Sequence, residues 1–147
     1  MGDPYLDGLL KKSIYAERSS VRGRLVAILN GAMNDRKLEL IRVPSRALRR
    51  GEIHELIHTD EKKSAPGSQV NSIDYVAFFE VIDPGIIMTG DQIFLNDNCT
   101  GRLAGYDETH MPNHMNIVFF SEKGRTGLSM GLSLGDEICF KKGVSNI

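Results

Sequence analysis

A chain of 147 residues with 41% hydrophobic and 25% charged residues suffices for one packed domain and a core that needs no disulfide or metal to hold it. A net charge of −1 gives no global bias toward nucleic acid or membrane. No apolar run approaches the ~20 residues that span a bilayer, and Met1 to Tyr5 lack the basic start of a secretory leader. The expectation is a cytoplasmic protein in which Cys99 and Cys139 stay free thiols.

Taken in chain order, residues 1–20 read as a short amphipathic helix or an extension, because Leu6, Leu9, Leu10 and Ile14 recur at helical spacing. Residues 21–147 read as a single β-rich domain. Arg24 to Leu29 and Leu38 to Val43 are strand-like, and Gly31 to Arg36 between them suggests a hairpin. Ser45 is placed as an N-cap for a short internal helix through Arg50, with Gly51 ending it in a left-handed conformation. Residues 52–58 fit helix or strand. Glu61 to Gly67 form a surface loop, Ile73 to Val81 a strand, and Pro84-Gly85 a turn into Ile86-Ile87-Met88.

Two later phrases resemble each other: Gly90-Asp91-Gln92-Ile93-Phe94 and Gly135-Asp136-Glu137-Ile138-Cys139-Phe140, with Pro66-Gly67-Ser68-Gln69-Val70 as a looser third. Each reads as a glycine turn feeding a half-buried strand. The fold these signals predict is mainly β: a small closed or partly open β-barrel, alternatively a β-sandwich, with an N-terminal helix and one short internal helix.

All four histidines fall into two pairs of equal spacing. His54-Glu55-Leu56-Ile57-His58 resembles the HExxH signature of zinc-dependent proteases, in which a helix brings both imidazoles to one metal and the glutamate acts as base. Gly51 disfavours a long helix here, and no third ligand follows at the spacing those families use. On a strand, His54 and His58 would stand ~13 Å apart at ~3.3 Å per residue, too far to share an ion.

The second pair lies in Asp107-Glu108-Thr109-His110-Met111-Pro112-Asn113-His114, a polar loop between strand-like runs. Asp107, Glu108, His110 and His114 are therefore the candidate catalytic residues, by acid–base chemistry or hydrolysis of a small molecule. The candidate metal ligands are His110, His114 and Asp107, with His54 and His58 added if the two segments meet. That donor set would suit Zn²⁺, Mn²⁺ or Fe²⁺. Asp and Asn also cap turns, so a purely structural loop is the competing reading.

Six cations lie between Arg36 and Arg50. On a helix, Arg46, Arg49 and Arg50 would share one face as an anion site. The alternative function is thus a non-enzymatic module contacting RNA or an acidic partner through that face. There is no tryptophan, and the Phe78-Phe79 and Phe119-Phe120 runs look like core, which weakens a nucleic-acid reading. Pairing of barrel edges and the N-terminal helix between copies would give a homo-oligomer.

Overall fold

The computed structural model describes residues 18–143. Twelve strands run through them: β1 (Val21–Ile28), β2 (Ala32–Met33), β3 (Leu38–Glu39), β4 (Ser45–Leu48), β5 (Ile53–Thr59), β6 (Gln69–Val70), β7 (Ile73–Asp83), β8 (Gly85–Met88), β9 (Gln92–Leu95), β10 (Asn98–Asp107), β11 (Asn116–Phe120) and β12 (Glu137–Lys141). The described residues contain no helix. The expected N-terminal helix falls mostly outside them, and residues 18–20 are irregular.

Seven strands hydrogen-bond in the order β1-β12-β9-β10-β11-β5-β7, and β7 returns to β1, so the main sheet closes on itself like a ring. Every neighbour in the ring is antiparallel except β5 and β11, which run parallel. That parallel pair joins the two histidine segments, because it sets Glu55 opposite Asn116 just after the polar loop. β2 extends β7 outside the ring, and the short pairs β3–β6 and β4–β8 are separate ribbons.

Alternation sorts side chains to the two faces. Along β1, Val21, Gly23 and Leu25 are buried while Arg22, Arg24 and Val26 are exposed. Inside the ring, Leu25, Leu56, Val76, Phe79, Leu103, Tyr106, Ile117 and Phe119 form the main core. Outside it, Ile57, Ala104 and Val118 meet Leu38 of β3, Leu40 and Val70 of β6 in a second cluster. Two ribbon strands therefore bury one outer patch of the ring. Gly23 lacks a side chain where β1 crosses close to β7: an added Cβ would come within 2.7 Å of the Glu80 carbonyl oxygen.

The resemblance among the glycine phrases is a repeated turn. Ala65–Ser68, Met88–Asp91 and Ser133–Asp136 each bond the fourth N–H to the first carbonyl, at 3.0, 3.0 and 3.1 Å. The third residue of each is a glycine at φ 88°, 92° and 88°, as a type II turn demands. The fourth side chain accepts the first residue's N–H, at 3.0 Å on Ser68, 2.9 Å on Asp91 and 2.8 Å on Asp136. A fourth copy is Arg49–Glu52, with Gly51 at φ 90° and Glu52 accepting the Arg49 N–H at 2.9 Å. Each turn feeds a strand: β5, β6, β9 or β12.

That fourth turn accounts for two corrections. Gly51 serves the turn into β5 and does not end a helix. Ser45–Leu48 is strand β4, paired with β8 so that Leu48 enters the core beside Ile87. The helical face that would have grouped Arg46, Arg49 and Arg50 does not form. The expected hairpin between residues 24–29 and 38–43 is also absent. β1 pairs with β7 and β12, whereas β3 pairs with β6. Burial of Leu38 and Leu40 in the outer cluster decides this, an interaction that local turn chemistry cannot reveal.

Candidate active site

HELIH lies on β5, so its residues alternate and the helix that a zinc-protease motif needs is not there. His54 and Leu56 face inward, while Glu55 faces out. His54 is 6% exposed. Its Nδ1 accepts the Met115 N–H at 3.1 Å, and its Nε2 lies 3.2 Å from Glu52 Oε1. This pattern fixes the neutral tautomer with the proton on Nε2. Burial holds its pKa below the usual histidine value, against the pull of Glu52 and with help from Arg46 and His114.

His58 is 1% exposed and meets acceptors on both sides: Asp74 Oδ2 at 2.9 Å from Nδ1 and the Ser121 carbonyl at 2.8 Å from Nε2. Each ring nitrogen thus has an oxygen acceptor within hydrogen-bond reach. The Phe119 ring packs edge-on at 5.3 Å, and Gly124 lies against the imidazole so closely that a Cβ there would fall inside the ring. His58 therefore ties the 121–126 loop to the ring of strands.

The polar loop spans residues 108–115, between β10 and β11, and its Met111–Pro112 bond is cis. Asp107 is buried and accepts the Thr109 N–H at 3.0 Å, the Asn116 amide at 3.2 Å and the Glu39 N–H at 3.3 Å. It anchors the loop, as an Asx-type cap does. Glu108 is exposed and pairs with Arg46 at 3.1 Å. His110 is exposed, and its ring stacks on His114 with centroids 5.0 Å apart.

The four histidines do not converge. Among the described residues, no group of three or more His, Cys, Asp or Glu side chains could hold a metal ion. What converges instead is a mixture of the two segments. Asp107, Asn116, Glu55 and Phe78 form one outward-facing row across β10, β11, β5 and β7. His114 closes over that row. Its Nε2 lies 3.4 Å from Glu55 Oε1, and its ring meets Phe78 edge-to-face at 5.0 Å.

The Glu55 and His114 side chains are both largely shielded from water. Burial raises the Glu55 pKa, against His110 and Arg36, which lower it. Burial lowers the His114 pKa, His110 adds to the effect, and Asn116 opposes it. Among the described residues, His114 Nε2 and Asn116 Oδ1 are buried without a hydrogen-bond partner. Such unmet groups are uncommon in a finished structural core. His114 Nδ1 instead faces Asn113 Nδ2 at 2.9 Å. His114 and Asn113 line a cleft of about 350 Å³ together with Gly51, Ile53 and Phe78. Ile53 is 46% exposed on a strand whose other residues are buried.

Sequence reasoning thus selected His114 and placed Glu55 in another motif, without joining the two. The sequence profile of one protein family matches residues 15–141. The chain belongs to the family of unknown function DUF6917. No curated protein and no solved structure matches this DUF6917 chain. Among its described residues, no helix is long and apolar enough to cross a membrane.

Proposed function

We propose that this DUF6917 protein acts on a small molecule held in the Gly51–Ile53–Phe78–Asn113–His114 cleft, with His114 as general base and Glu55 as the carboxylate that orients it. We read the ring of seven strands as a closed barrel whose outer wall carries the site. The observation that supports this most is the asymmetry of the His114 ring: Nε2 is buried against Glu55, and Nδ1 lies on the cleft side beside Asn113.

A proton on Nε2, with the Glu55 carboxylate 3.4 Å away, would leave the Nδ1 lone pair to accept from the Asn113 amide at 2.9 Å. This is the arrangement of a base steadied by an acid partner. The lowered His114 pKa keeps the ring uncharged at neutral pH, so that substrate need only displace the Asn113 amide from Nδ1. Ile53 and Phe78 offer an apolar wall for a flat substrate, and a separation of 3.4 Å is of the kind that tightens when substrate enters. Glu108, paired with Arg46, and His110, stacked on His114, flank the site; Asp107 supports it from below.

A substrate-independent probe is 5-nitrobenzisoxazole, whose ring opens on loss of one proton to a base. The full chain should open it faster than free imidazole at equal concentration. His114→Ala should lower the rate by about a hundredfold, the order expected for one positioned base, and Phe78→Ala should weaken saturation. A rate unchanged by His114→Ala would dismiss the proposal.

A further inference from the structure

We propose that His54 is a positioning residue for the His114–Glu55 pair, acting through the backbone of Met115. This rests on the reading of that pair as the reactive site. Met115 directly follows His114, and β5 grips it twice. Its N–H donates to His54 Nδ1 at 3.1 Å, and its carbonyl accepts the Glu55 N–H at 3.0 Å. The two consecutive residues of HELIH therefore hold the residue next to the base, one through a side chain and one through the backbone.

The peg belongs to a longer chain of bonds. Glu52 Oε1 accepts the Arg49 N–H at 2.9 Å within the turn that starts β5, and the same oxygen lies 3.2 Å from His54 Nε2. His54 thus transmits the fixed position of that turn to Met115. An aliphatic residue would suit the inward face of β5, where Leu56 and Phe79 pack. It would leave a buried N–H at Met115 without a partner, because the ladder of β11 begins only at Asn116. Histidine is the side chain that spans an apolar interior and still presents an acceptor at Nδ1 and a donor at Nε2. The groups around it are Glu52 before β5, Arg46 of β4, His114 of the loop and the uncharged Phe79 ring of β7 at 6.3 Å.

The test compares His54→Leu with His54→Asn in the ¹⁵N-labelled full chain, since Asn Oδ1 can take the place of the Nδ1 acceptor. His54→Leu should speed amide exchange at Met115 about tenfold, the loss of one hydrogen bond, and shift the His114 ring signals, while the amides of Ile117 to Phe119 keep their protection. His54→Asn should restore both readouts. With 5-nitrobenzisoxazole, the leucine variant should lose turnover and keep its KM.

Unchanged Met115 exchange in His54→Leu, or failure of His54→Asn to rescue, would overturn the proposal. Should the leucine variant not fold, the wild-type ring decides: a long-range ¹H–¹⁵N spectrum must show Nε2 protonated and Nδ1 bare, and the opposite tautomer overturns it. Exchange and ring shifts need no substrate, so they separate failure of this positioning role from failure of the acid–base reading.

Discussion

Replacing Gly124 with alanine should destabilise the protein far more than an exposed-loop substitution ordinarily does. Gly124 does not sit at a positive φ, so backbone preference alone would let alanine stabilise the fold by about 0.4–1 kcal/mol through the unfolded chain. The obstacle is His58, because the new methyl would occupy the imidazole ring. Either the loop lifts or His58 turns, and overpacking of this kind costs about 1–3 kcal/mol. Movement also strains the bond from His58 Nε2 to the Ser121 carbonyl at 2.8 Å, a hydrogen bond worth about 0.5–1.5 kcal/mol.

The expected net loss is about 1–4 kcal/mol, or roughly 3–12 °C in Tm for a domain of this size. Thermal and urea unfolding would read it, and the double variant His58→Ala/Gly124→Ala gives the decisive comparison. With the imidazole gone, Gly124→Ala should cost almost nothing. If the two substitutions are additive, the imidazole is not what alanine meets and the reasoning fails.

Further predictions concern protons and the loop anchor. His54 and His114 have folded pKa values below that of free histidine, so the unfolded chain binds more protons in that window. Their contribution to stability is present above pH ~6.5 and is lost as pH falls through the folded values; His54→Asn should flatten that slope in urea titrations. Glu55 runs the other way. Its raised pKa makes the fold less stable as pH rises through the folded value, so Glu55→Gln should stabilise at neutral pH and lose that advantage below pH ~4.5. Asp107→Ala strands the buried Asn116 amide and removes the acceptor of the Thr109 and Glu39 N–H groups, and should cost about 1–3 kcal/mol in urea unfolding.

The parts of this molecule legible in the sequence are those governed by local chemistry. The Gly-Asp phrases announced their turns because positive φ and a capping side chain are encoded within four residues. The polar loop between β10 and β11 was visible from the strand-like runs on each side. Ser45 to Gly51 misled because a cap-like serine and a turn glycine imitate a helix, and only pairing with β8 shows otherwise.

The site itself was half legible. Asp107 looks like chemistry in the sequence, and the fold gives it three hydrogen bonds from residues as distant as Glu39, which no local pattern announces. Glu55 looks like part of a zinc motif and proves to face His114, because the parallel pairing of β5 with β11 sets Glu55 opposite Asn116, far along the chain. The alternation of β5 held one usable signal. If residues 52–58 are a strand, Glu55 must leave the face shared by His54 and His58.

In the proposed site His114 carries its proton on Nε2, beside Glu55, and its unprotonated Nδ1 accepts from Asn113 until a substrate displaces that amide. A long-range ¹H–¹⁵N spectrum of the full chain at neutral pH reads this directly. The expected result is a neutral Nε2–H tautomer whose Nδ1 signal moves when 5-nitrobenzisoxazole enters the cleft. A His114 ring that is protonated on Nδ1 at neutral pH, or whose Nδ1 ignores the probe, would contradict it.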